Sequence, residues 1–127
     1  MDNLHIITLA DVIPEYSAGD FGFLLPAFDD AECDKVLAIV PHLLLTNCAQ
    51  ITCLGSKAEK LHDEIDTLVE NAGKFSILTT YDSDLLEACE YFIFAAGSSV
   101  THLVALIADH PEVLSILNGV IDDFEQD

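Results

Sequence analysis

Residues 50–72 read QITCLGSKAEKLHDEIDTLVENA and contain the signals of a strand followed by a helix. The apolar run at 51–54 has the length and composition of a buried strand, and Gly55 interrupts it. Apolar residues then recur at steps of three or four, which places them on one face of a helix: Ala58, Leu61, Ile65, Leu68 and Ala72. This segment therefore predicts one β-strand, one tight turn and one amphipathic helix.

Two local signals mark the ends of this predicted helix. Ser56 lies three residues before Glu59, which is the spacing at which a hydroxyl and a carboxylate cap a helix start reciprocally. Gly73 follows the last apolar position and can adopt the left-handed conformation that ends many helices. We therefore expect Ser56 and Glu59 to cap the start of the helix and Gly73 to end it.

The same alternation of strand and helix recurs along the chain. Strands are predicted at 21–28, 75–80 and 102–108, and helices at 31–45, 84–96 and 109–124. Pro41 should kink or split the helix at 31–45, and Asp84 with Glu87 repeats the capping spacing. Because the strands are apolar on both faces, they favour a parallel sheet covered by helices on both sides. The predicted fold is a single α/β domain over residues 1–127, a small three-layer Rossmann-like domain with four βα units around a mostly parallel sheet.

The first twenty residues give a weaker structural prediction. Residues 4–9 suit either a strand or a helical turn, and residues 14–19 suit a loop. The apolar run at 4–13 has no basic flank and contains polar residues, so we expect neither a signal peptide nor a membrane span. All four cysteines fall in predicted strands or on apolar faces without a CxxC pair, and are expected to be reduced core residues: Cys33, Cys48, Cys53 and Cys89. These features predict a cytoplasmic protein.

The charge of the chain is strongly one-sided. It has 23 Asp and Glu residues against 4 Lys and no Arg, which gives a net charge of −19. We expect no direct binding of nucleic acid, because phosphate contacts need Lys and Arg. The acidity serves either solubility or the binding of a basic partner, and an acidic surface can also imitate an anionic polymer.

Acidic residues are concentrated in three predicted clusters, which are the candidate partner-binding residues. The first lies on the helix within residues 50–72 and the second around the start of the next helix: Asp63, Glu64, Asp66 and Glu70, then Asp82, Asp84, Glu87 and Glu90. The third is an acidic tail over residues 122–127: Asp122, Asp123, Glu125 and Asp127. Because the helix dipole disfavours carboxylates at a helix C-terminus, this tail suggests a use outside the fold.

Ligands of open α/β sheets bind beyond the carboxyl ends of the strands. The residues expected there are mostly acidic: Asp29 and Asp30, then Gly55, Ser56 and Lys57, then Tyr81 and Asp82, then Asp109 and His110. Neither a GxGxxG nor a GxxxxGK(S/T) motif follows a strand, so no cofactor is expected. No catalytic residue is assigned, and His110 is the first residue to mutate in a test for enzymatic activity. Asp29 or Asp30, Asp84 and Asp109 also suit helix N-caps.

Asp29 and Asp30 after one strand, with Asp82 after another, resemble the acidic site of response-regulator receiver domains. The resemblance implies a Mg²⁺ site and a phosphate-accepting aspartate among these three residues. The chain departs from that family at the last strand end, where it has Asp109 and His110 in place of a lysine. It also has four predicted βα units where that family has five.

In size, acidity and lack of a catalytic motif, the chain is similar to bacterial immunity proteins. That resemblance implies a non-enzymatic binding protein that neutralises a basic, nuclease-type toxin by electrostatic capture. Two alternatives stay open: the Mg²⁺-dependent, receiver-like phosphoacceptor described above, and a DNA mimic that blocks a host enzyme with its acidic surface.

Overall fold

All five strands of the described residues, 1–14 and 18–126, lie in one parallel sheet in the computed structural model. In chain order the elements are β1 (Leu4–Ile6), β2 (Phe21–Pro26), α1 (Asp30–Leu44), β3 (Cys48–Leu54), α2 (Ala58–Asn71), β4 (Leu78–Asp82), α3 (Leu85–Glu90) with a π-helical continuation (Tyr91–Ala96), β5 (His102–Ala105) and α4 (Pro111–Gln126). The order of the strands across the sheet is β1-β5-β2-β3-β4.

Helices cover both faces of this sheet. Phe23 and Leu25 of β2 pack with α1 and α2 in one buried cluster, whereas Leu24, between them, packs with α3 and α4 in another. Alternate residues of a strand point to opposite faces, so β2 is apolar on both sides because both sides are covered. The predicted three-layer Rossmann-like domain is confirmed, and residues 4–6 add a fifth strand at one edge of the sheet.

The chain reverses its direction across the sheet between β2 and β5. From β2 it proceeds outward through β3 to β4, and it then crosses back over the other face to β5. This order leaves β4 as an edge strand. It also places the carboxyl ends of β2 and β5 side by side, at the switch point where open α/β sheets bind ligands.

The start of α2 differs from the prediction. Ser56 does not cap this helix: its hydroxyl donates to the backbone carbonyl of Phe28 at 3.0 Å, and the helix begins at Ala58. The backbone N–H of Lys57 donates to the carbonyl of Ala27 at 2.7 Å. The chain just after β2 therefore holds the turn before α2, so the predicted capping box does not form.

The strand after α2 also lies later than predicted. Gly73 has the predicted left-handed conformation, with a φ of 71°. The N–H of Lys74 then donates to the carbonyl of Val69 at 3.0 Å, which keeps the following residues in a turn. As a result β4 is Leu78–Asp82 rather than 75–80, and it is partly exposed rather than buried on both faces.

The structure also corrects the prediction for Pro41 and the end of the last strand. The helix α1 runs through Pro41 without a break, so the predicted split is wrong. Pro41 is exposed near the end of this helix, where a missing N–H affects only the last turn. The strand β5 ends at Ala105 rather than at residue 108.

Residues 122–126 continue α4 and do not form a separate tail. Val113, Leu117 and Val120 of this helix are buried. Phe124 stays partly exposed, and its ring packs edge-on against that of Phe94, with the two centroids 5.5 Å apart. Asp127 and part of the predicted loop at 14–19 lie outside the described residues.

The cysteines are free thiols in apolar surroundings. Cys33, Cys53 and Cys89 are buried, as predicted, and Cys48 is half-buried. Burial raises the pKa of Cys48 to about 12 and that of Cys89 to about 11, so both thiols stay protonated at neutral pH. In the part of the chain that the structure describes, no helix combines the length and apolarity that a membrane span requires.

Candidate functional site

The edge strand β4 brings two of the predicted acidic clusters together. In the described sheet it pairs with β3 alone, and its side chains alternate between the two faces. Thr79 and Tyr81 point toward α2, where their hydroxyls donate to Asp66 and Glu59 respectively. Asp82 points to the opposite face, toward α3. Both flanks of this strand are therefore acidic.

On the α2 side, carboxylates lie against the strand in hydrogen-bonded positions. The Tyr81 hydroxyl donates to Glu59 Oε2 at 3.0 Å, and this bond raises the pKa of Tyr81. His62 packs on the Tyr81 ring with centroids 4.8 Å apart, and its Nδ1 is 3.1 Å from Asp63 Oδ1. The His62 side chain is only 16% exposed. The imidazole is largely covered, because β4 packs on this turn of α2.

On the α3 side, three carboxylates crowd the turn between β4 and α3. Asp84 caps the helix as predicted, by accepting from the N–H of Glu87 at 2.9 Å, and Asp82 accepts from the N–H of Asp84 at 2.8 Å. A hydrogen bond between the Asp82 and Glu87 carboxyl groups, together with repulsion from Asp82, Asp84 and Glu90, raises the pKa of Glu87. Like charges are thus held together here against their mutual repulsion.

We expect Glu87 to titrate above the ordinary range of glutamate, and Asp82→Asn to lower this pKa, because it removes the nearest negative charge. A raised pKa in the folded state means that protonation of Glu87 favours folding; this contribution is complete below the unfolded pKa and is lost as the pH rises through the folded pKa. The control variant is Asp34→Asn, which removes an exposed carboxylate from α1. NMR titration of the carboxyl carbons measures the pKa of Glu87 in each variant. An equal Glu87 pKa in Asp82→Asn and Asp34→Asn would contradict the expectation.

Large apolar side chains are exposed along the same strand and beside it. Phe75 is 77% exposed, and Leu78, Tyr81 and Leu86 are about half exposed. An apolar centre with a charged rim is typical of protein–protein contacts. We call this surface the acidic edge and define it by its members: Glu59, Asp63, Asp66, Phe75, Leu78, Tyr81, Asp82, Asp84, Leu86 and Glu87.

Five of the candidate residues selected from sequence are members of the acidic edge: Asp63, Asp66, Asp82, Asp84 and Glu87. Glu90 adds to the charge around Glu87, and Glu70 continues the stripe of Asp63 and Asp66 along α2 by its helical spacing. Glu64 lies elsewhere, on the side of α2 where its charge acts on Cys33 and Lys60. The first two clusters thus converge, with Glu64 as the exception.

The third predicted cluster is not part of the acidic edge. Asp122, Asp123 and Glu125 lie on the last turns of α4, and Glu125 accepts a hydrogen bond from the amino group of Met1. Five members of the edge are absent from the candidate residues selected by sequence: Glu59, Phe75, Leu78, Tyr81 and Leu86. The step of four residues between Glu59 and Asp63 places both on one face of α2, so the sequence contains a signal for Glu59. The position of Tyr81 follows only from the strand order.

The three residues of the receiver-like alternative are engaged separately. Asp30 forms an ion pair with Lys60 Nζ at 2.9 Å, which lowers the pKa of Asp30. Asp29 caps α1 by accepting from the N–H of Glu32 at 2.7 Å, and Asp82 lies two strands away from both. Within residues 1–14 and 18–126, no group of three or more His, Cys, Asp or Glu side chains is placed to hold a metal ion.

A cavity of about 450 Å³ opens at the switch point between β2 and β5, and its lining includes Asp29, Glu32, Lys35 and Asp109. His110 Nε2 is 2.6 Å from Glu32 Oε2, while Glu32 Oε1 accepts from the N–H of Phe28 at 2.9 Å. This pair ties the start of α4 to the start of α1, so His110 has a structural use. A phosphate-bearing ligand would meet three carboxylates and one lysine in this cavity, which disfavours it.

The chain belongs to a family described as Domain of unknown function (DUF7684), which it matches over residues 5–117. No curated protein and no solved structure matches it. The matched region begins within β1, ends within α4 and includes every residue of the acidic edge, whereas Asp122, Asp123 and Glu125 lie beyond it.

Proposed function

We propose that this protein is a non-enzymatic binding protein that captures a basic protein partner at the acidic edge. The observation that carries the proposal is the meeting of carboxylates from α2 and α3 on either side of a partly exposed strand, which itself exposes Leu78 and Tyr81. The carboxylates on the α3 side repel one another, as the raised pKa of Glu87 indicates. Cationic groups that bind among them relieve this repulsion.

The proposed partner is a nuclease-type toxin, and the proposed role is that of a bacterial immunity protein acting in the cytoplasm. A nuclease carries Lys and Arg where it contacts phosphates, so its active site has the charge that the acidic edge complements. Carboxylates of the edge would take the positions of substrate phosphates or cover the nucleic-acid surface. Long-range attraction speeds the encounter, and contacts of Tyr81 and Leu78 that exclude water slow dissociation.

The apolar members of the acidic edge favour this role over that of a DNA mimic. A mimic presents carboxylates in place of phosphates along an extended face, whereas this surface exposes Leu78 and Tyr81 on the strand that its carboxylates flank. Exposed aromatic and aliphatic side chains add affinity when they fill pockets of a specific protein. They add nothing to the imitation of a polyanion.

The test is an inhibition assay with the basic nuclease domain encoded beside the gene for this chain. We expect stoichiometric inhibition, with an association rate that falls by about tenfold or more as NaCl rises from about 50 to about 500 mM. The control is an acidic nuclease of similar size, which should be unaffected. A basic nuclease that stays fully active with excess protein, or a binding rate that does not respond to salt, contradicts the proposal.

A further inference from the structure

We infer that an extended segment of the basic partner binds along the outer side of β4 and becomes a sixth strand of the sheet. This inference rests on the proposed function, because it states how the acidic edge holds its partner. In strand addition, main-chain hydrogen bonds supply affinity and the flanking side chains supply specificity.

The backbone of β4 presents hydrogen-bonding groups on its outer side. The carbonyl of Asp82 accepts from the N–H of Gly55, just after β3, at 3.3 Å, so Asp82 directs its backbone groups toward β3. These directions alternate along a strand. The N–H and C=O groups of Thr79 and Tyr81 therefore point away from the sheet, where they form a template for another strand.

The two edges of the sheet are protected in different ways. β1 has three residues, whereas β4 has five, contains neither Lys nor Pro, and pairs with β3 without a bulge. Short strands, lysines, prolines and bulges are the usual means by which edge strands avoid unwanted pairing. Carboxylates flank β4 instead. They repel an acidic strand such as the β4 of a second copy, and they leave the edge open to a basic one.

Charge complementarity defines the segment that fits. Side chains of an added strand alternate between the two faces of the sheet. Those on the α2 side would meet Glu59, Asp63 and Asp66, and those on the α3 side would meet Asp82 and Glu87. Because both faces are acidic, we expect Lys or Arg at consecutive positions of the segment rather than at every second position.

One side chain already contacts the outer side of β4. The Nε2 atom of His62 lies 3.3 Å from the carbonyl oxygen of Thr79. This distance exceeds the roughly 2.9 Å of a well-formed hydrogen bond. The N–H of an incoming strand can therefore replace His62 at this carbonyl, and the imidazole retains its contacts with Asp63 and with the ring of Tyr81.

The experiment compares two synthetic peptides of the sequence Thr-Lys-Arg-Val-Lys-Arg-Thr, one unmodified and one N-methylated at its central amides. N-methylation removes the main-chain donors and leaves the charge unchanged. We expect the unmodified peptide to bind about tenfold more tightly. NMR should show slower amide exchange of Thr79 and Tyr81 in its complex, whereas Thr80 and Asp82, which already face β3, should change little.

Two protein variants refine this comparison. Tyr81→Pro removes an outer N–H of β4, and Tyr81→Phe keeps it; both lose the hydroxyl that donates to Glu59. We expect only Tyr81→Pro to lose its preference for the unmodified peptide. Equal binding of the two peptides to the unmodified protein, with unchanged exchange at Thr79 and Tyr81, overturns strand addition and leaves capture by charge standing. Failure of both peptides to bind at low salt also overturns it, while the nuclease assay decides the proposed function separately.

Discussion

Replacing Asp82, Asp84 and Glu87 together by Asn, Asn and Gln should weaken binding of the basic nuclease by about a hundredfold at low salt, the scale expected when several close charge pairs are removed from one interface. The three carboxylates lie at one corner of the acidic edge. The fold should be retained, because Asp84→Asn keeps a side chain that caps α3. The three substitutions also remove the mutual repulsion among these carboxylates.

The matched control replaces Asp122, Asp123 and Glu125 on α4 by Asn, Asn and Gln. It removes as many negative charges from the net charge of −19 as the first variant does, so the two lose similar long-range attraction. We expect the control to slow association by a few-fold and to leave dissociation unchanged, since charges outside the contact surface act on the encounter through long-range attraction. Surface plasmon resonance at several salt concentrations separates the two rates. Equal losses in both variants would show that net charge, rather than the acidic edge, holds the partner.

The fold is readable from the sequence wherever its signals are local. The strand, turn and helix of residues 50–72 depend on hydrophobic periodicity within one segment. The cap at Asp84 and the left-handed Gly73 depend on neighbours a few residues away. Ser56 shows where local rules stop: its hydroxyl donates to Phe28, which lies 28 positions away in the chain. A partner that distant is set by the packing of two βα turns.

The acidic edge is predictable only in part, for the same reason. The sequence locates Asp63 and Asp66 on one helix and Asp82 and Asp84 at the start of the next. That they flank a single exposed strand depends on the strand order, which places β4 at the end of the sheet. The apolar run from Phe75 onward reads as a buried strand, yet β4 is partly exposed because no further strand covers it within the described sheet.

Gly55→Ala should destabilise the protein by roughly 3 kcal/mol or more, because it combines backbone strain with a steric clash. Gly55 has a φ of 117°, and an added Cβ would lie 2.6 Å from the backbone oxygen of Ala27. Ala27 cannot easily move away: its carbonyl accepts from Lys57 at 2.7 Å, and its N–H donates to Leu54 at 2.8 Å. The added Cβ would therefore clash with a backbone segment that hydrogen bonds hold in place.

Gly73→Ala is the control for this substitution. Gly73 also has a positive φ, but nothing lies within 4 Å of its added Cβ, so it should lose only the roughly 1 kcal/mol of the left-handed conformation. Urea unfolding followed by circular dichroism compares the two variants. Because the N–H of Gly55 also donates to the carbonyl of Asp82, Gly55→Ala should disturb the end of β4 and weaken partner binding, whereas Gly73→Ala should not. If both variants lost the same stability and bound the partner equally, the close approach of Gly55 to Ala27 would not be what fixes this end of the acidic edge.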